Sequence, residues 1–208
     1  VIGGTDKYIS IKNDKIEIKK TKIKKYELNK EQIDALKFLE KENNKFSVSV
    51  LQGTTGSGKT LVYFERIKNI LKKNNQALVL LPEIFLTNDF KSRFEEFFGF
   101  EPAIWHSKIT PKQRRIIWKG IINNKIKILI GARSALLLPF KKLGIIIVDE
   151  EHDTSYKQDE GVIYNARDMA ISRASFEKIP IHLVTSVPSI ETFNNICIKK
   201  YRHFKILK

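Results

Sequence analysis

Residues 53–60 read Gly-Thr-Thr-Gly-Ser-Gly-Lys-Thr and complete the pattern G-x-x-x-x-G-K-[ST]. The pattern constrains the fold because it works only between a buried strand and the first turn of a helix. That context is present: 47–52 (SVSVLQ) is an apolar run of strand length, and 59–73 has helical periodicity. In such a turn glycines let the backbone close around phosphates. Amide N–H groups and the helix N-terminus supply positive potential there. Gly53, Thr54, Thr55, Gly56, Ser57 and Gly58 are therefore candidate nucleotide-cradling residues. Lys59 is expected to reach the β- and γ-phosphates, and Thr60 to hold Mg²⁺.

Strands and helices alternate along the rest of the chain. Strands are expected at 77–82, 102–106, 126–131, 144–150, 179–186 and 203–207. Helices are expected at 87–98, 111–123, 165–176 and 189–198, with an earlier one opening after Asn29. Near-continuous apolar strands between helices predict an α/β fold, a mostly parallel sheet covered on both faces. Residues 1–27 alternate apolar and charged residues and read as an arm or linker with one or two short strands. The chain begins at Val1, so a longer parent or a processed start is expected.

The run IIIVDEEHD (145–153) places carboxylates at the end of a buried strand. A Mg²⁺–nucleotide site needs that arrangement. Asp149 is the candidate metal ligand through water, Glu150 the candidate general base that orients the attacking water, and His152 a candidate reporter of nucleotide state. The polar stretch 154–164 follows directly. Its Tyr156 and Lys157 are candidates for stacking on a base and pairing with a phosphate, while Tyr164 is equally readable as core.

The tetrapeptide Asp149-Glu150-Glu151-His152 resembles the DExH box of superfamily 2 helicases, whose core is a RecA-like lobe. In chain order LPEIFLT (81–87), WHS (105–107), GARSALLLPF (131–140), 148–170 and VPSIE (187–191) resemble the first helicase lobe of the replication-restart helicases, the primosomal protein N′ family. The resemblance runs over residues 28–207 and implies a lobe at 28–208. It implies ATP with Mg²⁺ as cofactors, single-stranded or forked DNA as partner, and a second lobe supplying arginines to the transition state. Primosome or single-strand-binding proteins are further implied partners. The family's zinc-binding cysteines fall outside this stretch, so no zinc is expected here.

Residue by residue, the resemblance makes Gln32 a reader of the adenine edge, which a glutamine amide matches with one donor and one acceptor. Pro82, Glu83 and Thr87 fall where such motors touch the strand, as do Gly131, Arg133 and Ser134. Thr185 and Ser186 take the places of coupling residues in a segment that the family writes Ser-Ala-Thr-Pro-Ser. Here it reads Thr185-Ser186-Val187-Pro188-Ser189, and the hydroxyl at 187 is missing. That departure keeps open a module that binds ATP or DNA without hydrolysis. Another superfamily 2 translocase lobe is a second alternative. Ser189 is expected to cap a helix.

Charge fits a polyanionic partner without proving one. The net charge is +15, but 30 of the 38 basic residues are Lys, as a compositional bias would also give. No apolar run approaches the roughly 20 residues of a membrane span, and no signal-peptide pattern opens the chain, so a cytoplasmic location and no membrane partner are expected. Cys197 is the only cysteine and is expected in the core, as are Trp105 and Trp118 at least in part. His106, His182 and His203 are expected to be structural.

Overall fold

The computed structural model describes residues 10–12, 15–17, 26–41, 45–159 and 161–207. Within the expected arm, β1 (Ser10–Lys12) and β2 (Lys15–Glu17) pair antiparallel; the remainder of residues 1–25 lies outside the described residues.

Helix α1 (Lys30–Glu40) starts where Asn29 accepts from the Gln32 backbone N–H and Gln32 accepts from that of Asn29, a reciprocal cap. β3 (Ser47–Gly53), α2 (Lys59–Lys72), β4 (Gln76–Leu80), α3 (Asn88–Phe98) and β5 (Ala103–Trp105) follow. Then come α4 (Pro111–Ile122), β6 (Ile128–Gly131), β7 (Leu143–Asp149), β8 (Lys157–Gln158), β9 (Tyr164–Asn165), α5 (Ala166–Glu177), β10 (Pro180–Thr185), α6 (Ile190–Cys197) and β11 (Arg202–Ile206). Thr87, Thr110, Asn165 and Ser189 cap the helices they precede. Short 3₁₀ turns at Glu83–Phe85, Arg133–Leu137 and Thr154–Tyr156 were not expected from periodicity. They close i→i+3 bonds where a loop leaves a strand.

Seven strands form one sheet in the order β11-β3-β10-β7-β4-β6-β5, every neighbouring pair parallel. Alternate residues of each strand face opposite cores. Ile145 and Ile147 join Leu51, Val79 and Phe64 under α1, α2 and α3, while Ile146 and Val148 join Val50, Leu80 and Leu183 under α4 and α5. Phe64 is the hub of the first core, with Phe90, Phe94, Phe97 and Phe98 all within 6.0 Å of its ring centre. Edge-on and tilted ring pairs of this kind add about 0.5–1.5 kcal/mol each beyond burial.

Two core expectations are corrected. Trp118 is 45% exposed on the outer face of α4, and Cys197 is exposed at the end of α6. The periodicity of α4 is carried by Ile117, Gly120 and Ile121, which leaves position 118 on the solvent side. His182, by contrast, is fully buried in β10, and His203 bonds Gln52 on the neighbouring strand.

Candidate nucleotide and strand-contact site

Parallel strands send all their C-terminal ends to one edge, and open α/β sheets hold ligands there. The loop 53–60 leaves β3 at that edge. Gly56 and Gly58 both sit at φ +82°, which a side chain tolerates poorly. A Cβ on Gly53 would come within 2.6 Å of Ser57 Oγ. The Lys59 ammonium donates to the Gly53 carbonyl at 2.6 Å and the Thr54 carbonyl at 3.0 Å, so it lies inside the loop rather than in solvent. The Ser57 hydroxyl is buried without a hydrogen-bond partner. This cradle of amides, an ammonium and an unsatisfied hydroxyl fits a polyphosphate.

Gln32 touches this loop from α1. Its amide donates to the Ser57 carbonyl at 3.1 Å and accepts from Asn29 N at 3.0 Å. One N–H and one lone pair therefore remain for an adenine edge.

β10 lies between β3 and β7. The loop of the phosphate motif and the carboxylates of 149–150 therefore flank the end of β10, which is Thr185. Asp149 accepts from the Tyr63 hydroxyl at 2.8 Å and from the Glu150 N–H at 3.0 Å. Burial raises the Asp149 pKa to about 6, against the opposing pull of the Tyr63 hydrogen bond and of Lys59. A cation bound at this carboxylate would offset the burial that raises its pKa, as the Lys59 charge already does in part. Glu150 adopts φ +48°, a left-handed conformation that is costly for a residue with a side chain. It turns the chain sharply at the strand end. His152 Nδ1 lies 3.7 Å from Glu150 and 2.8 Å from Thr185 Oγ1. The Thr185 hydroxyl donates to the Val187 carbonyl at 2.8 Å, so its lone pair is left to accept from His152 Nδ1–H.

The sequence pattern did not single out Glu151. It is buried and accepts from Ser189 N at 2.8 Å, Thr192 Oγ1 at 2.9 Å, Ser189 Oγ at 3.1 Å and Arg167 Nη1 at 3.2 Å. Burial works against the Arg167 charge, but Asp168 and Glu151 outweigh it and raise its pKa. Ser189 caps α6 as expected and also binds this carboxylate. Ser186 contributes its carbonyl to Gln52 at 3.4 Å. The only advance signal was the doubled glutamate, which spacing does not separate into two roles.

The expected strand-contact residues gather less uniformly. A cleft of about 360 Å³ is lined by Pro82, Glu83, Ile84, Ser107, Arg133 and Tyr156, among others. Glu83 accepts from the Ser107 hydroxyl at 3.3 Å, Arg133 Nη1 donates to the Lys157 carbonyl at 2.7 Å, and Ser134 Oγ accepts from Trp105 Nε1 at 3.1 Å. Thr87 is exposed but its hydroxyl caps α3. The Lys157 ammonium pairs with Asp159 at 3.1 Å.

One expected contact is corrected. Tyr156 is only 2% exposed, and its hydroxyl donates to the carbonyls of Asp149 at 2.6 Å and Leu80 at 3.0 Å. It has no free face for a base and instead locks the turn after β7. Pro82 is buried, and its carbonyl accepts from Phe85 N. Gly131 is buried where a Cβ would meet Ala135 Cβ at 2.5 Å, so it is a packing glycine. Among the described residues no group of three or more His, Cys, Asp or Glu is placed to hold a metal ion. No described helix is long and apolar enough to cross a membrane.

A seven-stranded parallel sheet with a phosphate loop and a carboxylate turn flanking the strand between them is a RecA-like lobe. The chain belongs to the DEAD/DEAH box helicase family, whose profile matches residues 29–194. Members of that family generally use ATP and Mg²⁺. Among curated proteins, the chain is 47% identical over 198 residues to the replication restart protein PriA of Rickettsia felis, covering 93% of this chain and 30% of that protein. It is 51% identical over 176 residues to PriA of Rickettsia conorii (85% and 27%), and 44% identical over 163 residues to PriA of Haemophilus influenzae (78% and 22%). It thus spans under a third of the length of these relatives. Among solved structures it is similar to RecG bound to a three-way DNA junction (TM-score 0.65, 20% identity, 89% of this chain and 24% of that one). It is also similar to the UvsW helicase of bacteriophage T4 (TM-score 0.60, 17% identity, 89% and 62%), a likeness of fold.

Proposed function

We propose that residues 28–208 form the ATP-binding first lobe of an ATP-dependent DNA helicase that acts in replication restart at stalled forks. The observation that carries this is the order β3-β10-β7, which puts Thr185 between the phosphate loop and the Glu150–His152 turn. The Lys59 ammonium and the loop amides take the phosphates. Thr60 and Asp149 would hold Mg²⁺, which would supply charge neutralisation to the phosphates. Glu150 accepts a proton from the attacking water. Tyr63 fixes the Asp149 carboxylate at 2.8 Å. His152 passes the state of Glu150 to Thr185 and so to the 185–189 loop.

Glu83, Thr87, Arg133, Ser134 and Lys157 supply contacts to the sugar–phosphate backbone of single-stranded or forked DNA. These contacts hold the strand without reading its sequence. A second lobe supplies the arginines that complete hydrolysis, so this stretch alone turns ATP over slowly and does not unwind. Primosome and single-strand-binding proteins are the further partners that the sequence resemblance implies. The function is that of a cytoplasmic protein.

The Val187 departure does not weaken this reading. Its side chain is 66% exposed, while the Thr185 hydroxyl bonds its carbonyl, so the absent hydroxyl breaks no bond within the lobe. The test is ATP hydrolysis by the full-length protein with and without forked DNA. Stimulation that drops in Thr185→Val while ATP affinity holds supports the reading. Stimulation unchanged in Thr185→Val rejects the coupling path, and absence of any hydrolysis favours a binding module.

A further inference from the structure

The opposite edge of the sheet, where the parallel strands begin, carries its own pattern. Lys45, Lys73, Lys127, Lys142, Lys178 and Lys200 each precede a strand by at most three residues, one in each connection entering β3, β4, β6, β7, β10 and β11. The connection entering β3 also carries Glu42; the other five contain no Asp or Glu. The carboxylates at the ends of α1 and α5 are engaged, Glu40 by Asn69 and Glu177 by Arg173. Those six strands are consecutive neighbours in the sheet. At roughly 4.8 Å per strand the row of cations is about 24 Å long.

A lysine at a helix C-terminus is explained by the helix dipole. Like charges crowded together are not. Burial and the neighbouring Lys142 both lower the pKa of Lys127, so this pair repels. The platform is also held rigid. The buried Gln76 donates to the carbonyls of Ile121 and Ile126 and accepts from Lys142 N, stapling three of the connections together. At the β3 and β11 end a cleft of about 340 Å³ is lined by Lys45, Ser47, Lys200 and Arg202. The Ser47 hydroxyl is buried there with no hydrogen-bond partner.

We propose that this basic edge is a second, sequence-independent binding surface for duplex DNA, separate from the strand-contact cleft at the nucleotide edge. A row of cations on a rigid edge matches the stiff phosphate track of a duplex. The inference rests on the reading of the protein as a DNA motor and adds where a duplex arm is held. Net charge alone would spread lysine everywhere, but here every entering connection save that of β5 presents it, and five of the six do so with no Asp or Glu.

The experiment is salt-dependent binding of the full-length protein to duplex, single-stranded and forked DNA, comparing wild type with Lys73→Gln/Lys142→Gln/Lys200→Gln. These three side chains are exposed, so the fold is expected to persist; an unchanged melting midpoint checks it. The charge-retaining triple Lys→Arg variant is the second arm. The expected result is weaker duplex binding, a log–log salt slope shallower by about 0.9 for each phosphate that is no longer neutralised, unchanged single-strand binding and unchanged ATP affinity, all restored by arginine. Duplex affinity and slope equal to wild type overturn the proposal. So does a loss confined to single strands, or a loss seen only on vesicles containing anionic lipid. If the wild-type protein binds no DNA of any form, the functional reading itself fails, and this inference with it.

Discussion

Glu150 and Glu151 are neighbours in sequence and opposites in the fold. Glu150 is partly buried at a left-handed backbone position, 3.7 Å from His152 Nδ1. Glu151 is buried and accepts four hydrogen bonds from Arg167, Ser189 and Thr192. Both networks end in the same loop, 185–189. One reaches its start through Thr185, and the other clamps its end through Ser189. The loop is therefore clamped at its end by the buried Glu151 cluster, while its start is held by lighter contacts, Thr185 to His152 and the Ser186 carbonyl to Gln52 at 3.4 Å, an arrangement suited to moving with the state of Glu150.

The comparison is broken most severely by removing the anchor. Glu151→Ala leaves the Arg167 guanidinium buried among fewer partners and is expected to cost about 3–5 kcal/mol, read by urea or thermal unfolding. A loss near zero would show that solvent replaces the carboxylate freely and that the two glutamates are not different in kind. Tyr156→Phe comes next. It removes the donor to the Asp149 and Leu80 carbonyls that fixes the turn beneath both networks, at about 1–3 kcal/mol.

An acid titration gives a smaller effect that controls for buried charge elsewhere. His182 is buried with both ring nitrogens unpartnered, and burial first, then Arg66, hold its pKa well below 6.5. The unfolded chain takes up a proton below about pH 6.5 that the folded chain refuses, so stability falls as pH drops through that value. His182→Leu should flatten this part of the pH–stability curve. A curve that keeps its slope in the variant would place the acid sensitivity in another group. Smallest in stability is Val187→Thr, expected within about 0.5 kcal/mol because the side chain is exposed. DNA-stimulated hydrolysis in the full-length protein should also change little. A clear gain would mean that the missing hydroxyl faces a partner outside this lobe.

What the sequence made legible follows from how local each signal is. The phosphate loop and the strand carrying Asp149 are contiguous runs, and their backbone context is set by residues within a few positions. The parallel sheet follows from near-continuous apolar strands. The Glu151 cluster is different, because its members come from three elements 16 to 41 residues apart. Tyr156 shows the converse error. An aromatic in a polar loop reads as a stacking face, yet a 3₁₀ turn at Thr154–Tyr156 folds it under the strand end. Pro82 lines the cleft although it is buried, and Gly131 packs against Ala135, because a motif locates a segment and not the direction each residue faces. Trp118 lies on the outer face of α4, whose buried side is carried by Ile117, Gly120 and Ile121, and Cys197 is exposed at the end of α6.

The central claim is that the loop 53–60 binds the polyphosphate of a nucleotide, with Lys59 as its charged contact, so that everything at this edge is organised around ATP. Calorimetric titration of Mg²⁺–ATP into wild type and Lys59→Ala tests it most directly, with melting curves confirming that the variant is folded. Saturable binding to wild type, weak in this lobe alone, and loss of most of that affinity in Lys59→Ala are expected. Superimposable titration curves for the two proteins would contradict it.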